Sequence, residues 1–356
     1  MQSEFLSSLS RQKREVTKHV ESFDVGSWIR VQFSAPPPSL NFEFRISDCE
    51  FRICPQLKLK PLESEIRNWK SEIRNSLPIG IFDSGVGGLT VYRALHERLP
   101  NEHFVYLGDT ARVPYGTKSL KTVERYGVEN AKFLQDHGIK LLVVACNTAS
   151  ALALPAIRQG VSVDVVGVIE PGARAAVKNA GGKAVGVIAT EATVQSRAYS
   201  RAIFSMNGTI AVIERACPLF VSLAEEGWAD SEVTQSVAAE YLGDFKKSGI
   251  GALVLGCTHY PILRNAIRSA IGSDIPLIDS GAATAVEVES ILQSRGLART
   301  PEDSGERERR LCDDLDHFYV TDAAERFAKV AERFLGVAPT VLEAVEVWGH
   351  DELRTH

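Results

Sequence analysis

Between about residue 78 and residue 336, short runs rich in β-branched residues alternate with longer stretches whose apolar positions recur at helical spacing. The short runs predict strands at Ile79 to Phe82, His103 to Leu107, Leu141 to Ala145, Val165 to Val168, Ala184 to Ile188, Thr209 to Ile213, Ala252 to Leu255, Pro276 to Ile278 and Phe318 to Val320. The longer stretches predict helices such as Leu89 to Arg98, Ser119 to His137, Ser231 to Ser248 and Ala323 to Leu335. Strands and helices taking turns in this way predict an α/β fold with mainly parallel sheets.

The alternating region echoes itself. LPIGIFDSGVGG is followed by LLVVACNTA and then VVGVIEPG; further on, KAVGVIATEAT is followed by ALVLGCTHY and then IPLIDSG. Two similar halves are implied. Each half sets a cysteine, Cys146 or Cys257, directly after a buried strand, where open α/β sheets hold their ligands. Were the halves to face each other about a pseudo-twofold axis, the two thiols would approach one cleft from opposite sides.

The flanks differ. Residues 1–77 are irregular, contain Pro36 to Pro38 in a row, and carry two period-seven repeats, EFRISDC with EFRICPQ and SEIRNWK with SEIRNSL. Two copies fall short of the three or four heptads that a coiled coil needs. The segment is expected to be a disordered leader or translated sequence upstream of the true start. Residues 338–356 read as an uninformative tail.

Composition narrows the function. Of 356 residues, 44% are hydrophobic and 24% charged, which is ordinary for a globular enzyme. A formal charge of -5 gives no basic footprint, so a small metabolite is expected as partner rather than nucleic acid. No run reaches the roughly 20 apolar residues of a membrane span, and no secretory signal precedes the fold, so no membrane partner and a cytoplasmic setting are expected. Six cysteines are too sparse for a disulfide framework. Cys49, Cys54 and Cys312 read as structural or surface residues, and Cys217, before Pro218, reads as packing near a site.

Cys146 and Cys257 stand apart because each is expected at a helix N-terminus, where partial positive charge and unpaired N–H groups stabilise a thiolate. Lowering a thiol from its usual pKa of about 8.5 to about 7 needs roughly 2 kcal/mol of such stabilisation and makes half of it a base. A single cysteine after a strand is more often a small buried hydrophobe. Two in matched positions, each followed by hydroxyl and amide groups, reverse that reading. Without a paired CxxC or HExxH, no metal site is expected at Cys257 and His259. The stretch Asp83-Ser84-Gly85-Val86-Gly87-Gly88 follows a strand and opens a helix, so its N–H groups suit a carboxylate or phosphate. It is no dinucleotide fingerprint, because Thr90 takes the place of the third glycine, and no Walker lysine follows. Asp83 is either a helix cap or a carboxylate that tunes a catalytic group.

IFDSGVGGLTV, YLGDTARVPYG, VVACNTASA, CPLFVSLAEEG and VLGCTHYP together resemble, in order and spacing, the signature blocks of the glutamate racemase family. The resemblance covers residues 78 to 336. It implies an aspartate/glutamate racemase-like fold of two pseudo-symmetric α/β domains, 78–170 with 279–337 and 171–278, and an active site in the cleft between them. It implies no pyridoxal phosphate, metal or other cofactor, and homodimers are common in that family. By motif, Cys146 and Cys257 would be the acid/base pair, assisted by Asp83, Glu225 and His259. Asp83, Ser84, Tyr115, Gly116, Asn147, Thr148, Thr193, Thr258 and His259 would bind substrate.

Inverting an amino acid takes a base on one face of the α-carbon and an acid on the other. From L to D, the resemblance implies that Cys257 removes the proton and Cys146 returns one, giving D-glutamate for peptidoglycan and cell-wall synthesis. Asp83 would serve Cys146; Glu225 and His259 would serve Cys257. The rivals are an aspartate racemase or another two-cysteine isomerase, and a binding or regulatory protein without turnover. CNT, CTHY, CPLF and PYG favour glutamate, and a pure binder has no need of paired bases.

Overall fold

A computed structural model describes residues 74–300 and 309–348 of the chain, so the expected leader up to residue 73, with Cys49 and Cys54, lies outside the described residues, while its last four residues open with a helical turn over 74–76. The β-branched runs form ten described strands: β1 Ile79–Asp83, β2 Phe104–Gly108, β3 Leu141–Val144, β4 Asp164–Gly167, β5 Val185–Ala189, β6 Val212–Ala216, β7 Ala252–Gly256, β8 Leu277–Asp279, β9 His317–Val320 and β10 Leu342–Ala344. All pairings are parallel, as strand–helix–strand connections require.

The strands sort into two sheets, ordered β10-β9-β2-β1-β3-β4 and β6-β5-β7-β8. The echo in the sequence is thereby a repeat of topology, since 2-1-3-4 in one sheet has the connectivity of 6-5-7-8 in the other. Register sharpens the match. Leu141 pairs with Ile79, the first residue of β1, and Ala252 pairs with Val185, the first of β5; each cysteine stands five positions further on. In both sheets the chain first steps to one side of its opening strand and then to the other, which leaves a crevice beyond the strand ends at the point of reversal. Asp83 and Ser84 with Cys146 stand at one crevice, and Thr190 with Cys257 at the other.

Central strands β1, β3, β5 and β7 are buried along their whole length, which explains their unbroken apolar runs. Fully burying each Val, Leu or Ile contributes about 1.5–3 kcal/mol. Helices Leu89–Arg98 and Ser280–Arg295 cover the core that unites Ile79, Ile81 and Leu95 with Leu253, Leu255, Val288 and Leu292, so one apolar cluster runs between the sheets. All described residues belong to one compact unit, Glu65–His356. No helix among them is long and apolar enough to cross a membrane.

Two expectations shift. The strand expected at Thr209 to Ile213 runs instead over Val212–Ala216, because Asn207 Oδ1 draws in the backbone N–H and the hydroxyl of Thr209 and holds that segment in a turn. Glu214 and Arg215 are tolerated in β6 because it is an edge strand, with Glu214 accepting from Ser200 and Arg215 paired to Asp244. The segment read as a tail adds the edge strand β10, paired to β9. Cys312 takes the structural rather than the surface form of its expected reading, buried and with its N–H donating to the Tyr92 hydroxyl at 2.7 Å.

Candidate active site

Cys146 follows β3 and is the cap of helix Asn147–Leu152, its sulfur accepting from the N–H of Ala149 at 3.5 Å. Its thiol donates to the Ser84 hydroxyl at 3.5 Å, and the side chain is buried. The helix end and Ser84 favour a thiolate here, as expected. Burial, reinforced by the neighbouring Asp83, outweighs them and pushes the Cys146 thiol up to about 12. Burial therefore opposes the thiolate that the helix end favours at Cys146, in keeping with the protonated acid that the L-to-D direction implies there.

Asp83, the last residue of β1, is fully buried. It does not cap the following helix, whose cap residue is Gly88 with no side-chain bond. One carboxylate oxygen accepts from the N–H of Gly85 at 2.9 Å, while Oδ1 has no partner among the described residues. Burial raises its pKa against the opposing pull of the His259 charge and of the loop N–H groups. An orphaned buried acceptor beside a thiol is costly unless it has a task.

Cys257 is also buried after its strand, but the parallel with Cys146 stops there. A three-ten turn, Tyr260–Leu263, follows it, and the α-helix begins only at Arg264 because Pro261 and the short turn intervene. In place of a helix end, the sulfur meets His259 Nδ1 at 3.7 Å, and His259 Nε2 meets Glu225 Oε1 at 3.1 Å. Burial disfavours charge on His259, yet its bonds to Cys257 and Glu225 prevail and raise it to about 10. The same hydrogen bond to His259 holds the Glu225 carboxyl below its ordinary range. Glu225 ends helix Leu219–Glu225, and its backbone carbonyl accepts from Arg333 at 2.7 Å. An imidazolium donating toward a sulfur is the environment of a reactive thiolate.

The two crevices meet. A methyl added at Gly87 would fall 2.3 Å from Thr258 Oγ1 and 2.5 Å from the His259 ring, so the glycine loop of the first half lies flush against the second. Thr90, where a dinucleotide loop would have glycine, donates to the Thr258 carbonyl at 2.8 Å. On the other flank, Thr148 lies 2.9 Å from Thr190 and 3.3 Å from Thr193, hydroxyl to hydroxyl. Gly116 fits closely against Thr190, since a methyl there would come within 2.9 Å of that side chain. A negative charge on the Cys257 sulfur would push the Cys146 thiol up, so the two sulfurs lie within electrostatic reach of each other.

The residues singled out from sequence thus gather around one junction, with two qualifications. Tyr115 is buried and its hydroxyl is committed to Asp109, so this pair offers backbone and ring edge rather than a free hydroxyl. Asn147 accepts from Tyr199 through Oδ1 at 2.7 Å, leaving its amide nitrogen toward Ser280 at 3.5 Å. Sequence reasoning passed over Thr190, although it follows β5 as Ser84 follows β1, and the register match was the available signal. It also passed over Tyr199, which lies among ordinary helix residues. Among the described residues no group of three or more His, Cys, Asp or Glu side chains is placed to hold a metal ion.

Comparison with known proteins identifies the family. Residues 79–288 match the family described as Asp/Glu/Hydantoin racemase. A glutamate racemase of Geobacter metallireducens is 52% identical over 258 residues, which span 72% of this chain and 92% of that protein. A glutamate racemase isoform of Bacillus anthracis has a solved structure with TM-score 0.69 and 37% identity, covering 76% of this chain and 97% of its own. The structure of glutamate racemase from Francisella tularensis in complex with D-glutamate gives TM-score 0.69 at 39% identity, covering 77% and 98%. With the match spanning more than half of the chain and relatives aligned over nearly their full length, the chain belongs to the Asp/Glu/Hydantoin racemase family and, within it, to the glutamate racemases.

Proposed function

We propose that this protein interconverts L- and D-glutamate by a two-base reaction without a cofactor and so provides D-glutamate for peptidoglycan. The carrying observation is the pair of buried cysteines at one register position of two like sheets whose strand ends abut. In the L-to-D direction the Cys257 thiolate takes the α-proton and becomes a thiol. Cys146 gives its own proton to the opposite face and becomes the thiolate. The reverse reaction returns both protons, so nothing is consumed. The raised pKa of Cys146 suits the acid of this direction, and the His259 cation beside Cys257 suits the base.

Asp83 is the proposed partner of Cys146, while Glu225 and His259 are those of Cys257. Ser84, the Tyr115-Gly116 backbone, Asn147, Thr148, Thr193 and Thr258 are the proposed substrate contacts. Hydroxyl, amide and N–H donors fixed in a water-poor site are what a carbanionic intermediate needs, and such preorganised electrostatics is usually the largest catalytic contribution. The accompanying domain division, 78–170 with 279–337 against 171–278, is supported by the way the strands sort into sheets. The proposed setting is the cytoplasm.

Circular dichroism of D- and L-glutamate solutions incubated with the protein tests the proposal. Both signals should decay to zero, and in heavy water each enantiomer should gain deuterium at the α-carbon without added cofactor. A substrate panel in which aspartate is turned over and glutamate is not would transfer the reading to a related racemase. Ligand binding without exchange would make the protein a binder.

A further inference from the structure

Tyr199 lies in helix Ala198–Met206 of the second half and is 1% exposed, among the largest fully buried side chains. Its hydroxyl crosses to the first half and donates to Asn147 Oδ1 at 2.7 Å, one residue beyond Cys146. Its ring lies against the backbone just before the other cysteine, since a methyl at Gly256 would come within 3.0 Å of Tyr199 Cε2. One aromatic side chain thus touches both cysteine loops, which are separated in sequence by more than a hundred residues. Burial raises the tyrosine pKa above its ordinary value, so the hydroxyl stays a neutral donor. The bond from Tyr199 to Oδ1 fixes which way the Asn147 amide faces and leaves its N–H groups available to a ligand, since their hold on Ser280, at 3.5 Å, is loose.

We infer that Tyr199 is a positioning residue that sets the Asn147 amide as a donor and fixes the two cysteine loops relative to each other. The inference rests on the reading of Cys146 and Cys257 as the acid/base pair and of Asn147 as a substrate contact. A donor at Asn147 selects for an acceptor group on the ligand, such as a carboxylate. Gly172 supports the arrangement, because a methyl there would press within 3.3 Å of the Tyr199 hydroxyl and 3.2 Å of Ser280 Cβ.

The test is the kinetics of Tyr199→Phe with each glutamate enantiomer, alongside Asn147→Ala and the double variant. Losing the hydroxyl should raise KM about tenfold for both enantiomers with kcat changed less than about threefold, because an unaligned amide weakens binding more than chemistry. The double variant should be no worse than Asn147→Ala alone, as expected when one residue acts through the other. A lowered melting temperature with KM unchanged would reduce Tyr199 to a core residue, and effects that multiply in the double variant would refute its action through Asn147. If Tyr199→Phe does not fold, Gly172→Ala decides the matter: a KM rise of about threefold supports the inference and an unchanged KM overturns it. Cys146→Ala and Cys257→Ala separate the two levels. Turnover in either one would fell the acid/base reading itself, whereas inactive cysteine variants beside an unaltered Tyr199→Phe would fell only the positioning role.

Discussion

The two halves share topology, register and a cysteine, yet they support their sulfurs by different means. In the first half, Cys146 caps a true α-helix, with Ser84 and the fully buried Asp83 at its side. In the second, Ala189 and Thr190 stand where the first half has Asp83 and Ser84, and a His259–Glu225 pair has taken over. Backbone symmetry places the two sulfurs alike, while the side chains around them differ. A mirror-image reaction does not require a mirror-image site.

The strongest way to break this comparison is to remove one sulfur at a time. Cys146→Ala and Cys257→Ala should each lower racemisation on the order of 10³-fold or more, since on the proposed two-base reaction each removes an acid/base group outright. Serine, a far weaker base, should leave a trace at most. Because L- and D-glutamate have equal free energy, kcat/KM must fall equally in both directions for either variant. Near-normal turnover in one alanine variant would mean that the halves are not functional counterparts.

The supports come next. Asp83→Asn and His259→Asn should each reduce kcat on the order of 10²-fold, and Glu225→Gln about tenfold because it acts through His259. Equal loss from Asp83 and Glu225 variants would show that the two supports are more alike than their geometry. Gly87→Ala probes the seam itself. Its methyl would displace Thr258 and the His259 ring, and a misplacement of that kind should cost about 10-fold to 100-fold in kcat/KM with little change in Tm.

The smallest effect is on stability. His259 is raised above its ordinary value, so on going from pH 6.5 to 9 the unfolded chain releases a proton that the folded protein keeps. The contribution of His259 to stability is fully present below pH 6.5 and is lost as the pH climbs toward about 10. Melting temperature should therefore decline across pH 6.5 to 9, and His259→Asn should flatten that decline. A slope that is the same in both proteins would place the charge elsewhere.

Much of this was legible in the sequence because the information was local. Buried parallel strands announce themselves as unbroken apolar runs, and the echo of IFDSG by VIATE and of VVACN by VLGCT foretold the repeated topology. The two cysteines, Asp83, His259 and Glu225 were found through motif blocks, and the structure gathers them at one junction. What escaped was set by long-range packing. Whether Cys146 holds its proton depends on burial, which outweighs the helix end that the sequence displays. Cys257 looked like a second helix cap because THYPILRNAIRS has helical spacing, and only the three-ten turn at Tyr260–Leu263 shows otherwise. Tyr199 carried no local mark, since its partner Asn147 lies 52 residues away. Edge strand β10 is three residues long and half exposed, so it offered too little pattern to read.

The deep burial of both sulfurs has a consequence for traffic through the site. On the two-base reading, each conversion of L to D leaves the protein in the form that accepts D. A steady supply of one enantiomer then obliges the protein to exchange a proton between its sulfurs, by way of solvent or its neighbours, before the next molecule can react. Under one-sided feeding that reset, rather than bond breaking, can govern throughput, and it would appear as a net rate that levels off at the reset rate while label passes between the enantiomers faster than net conversion when both are present.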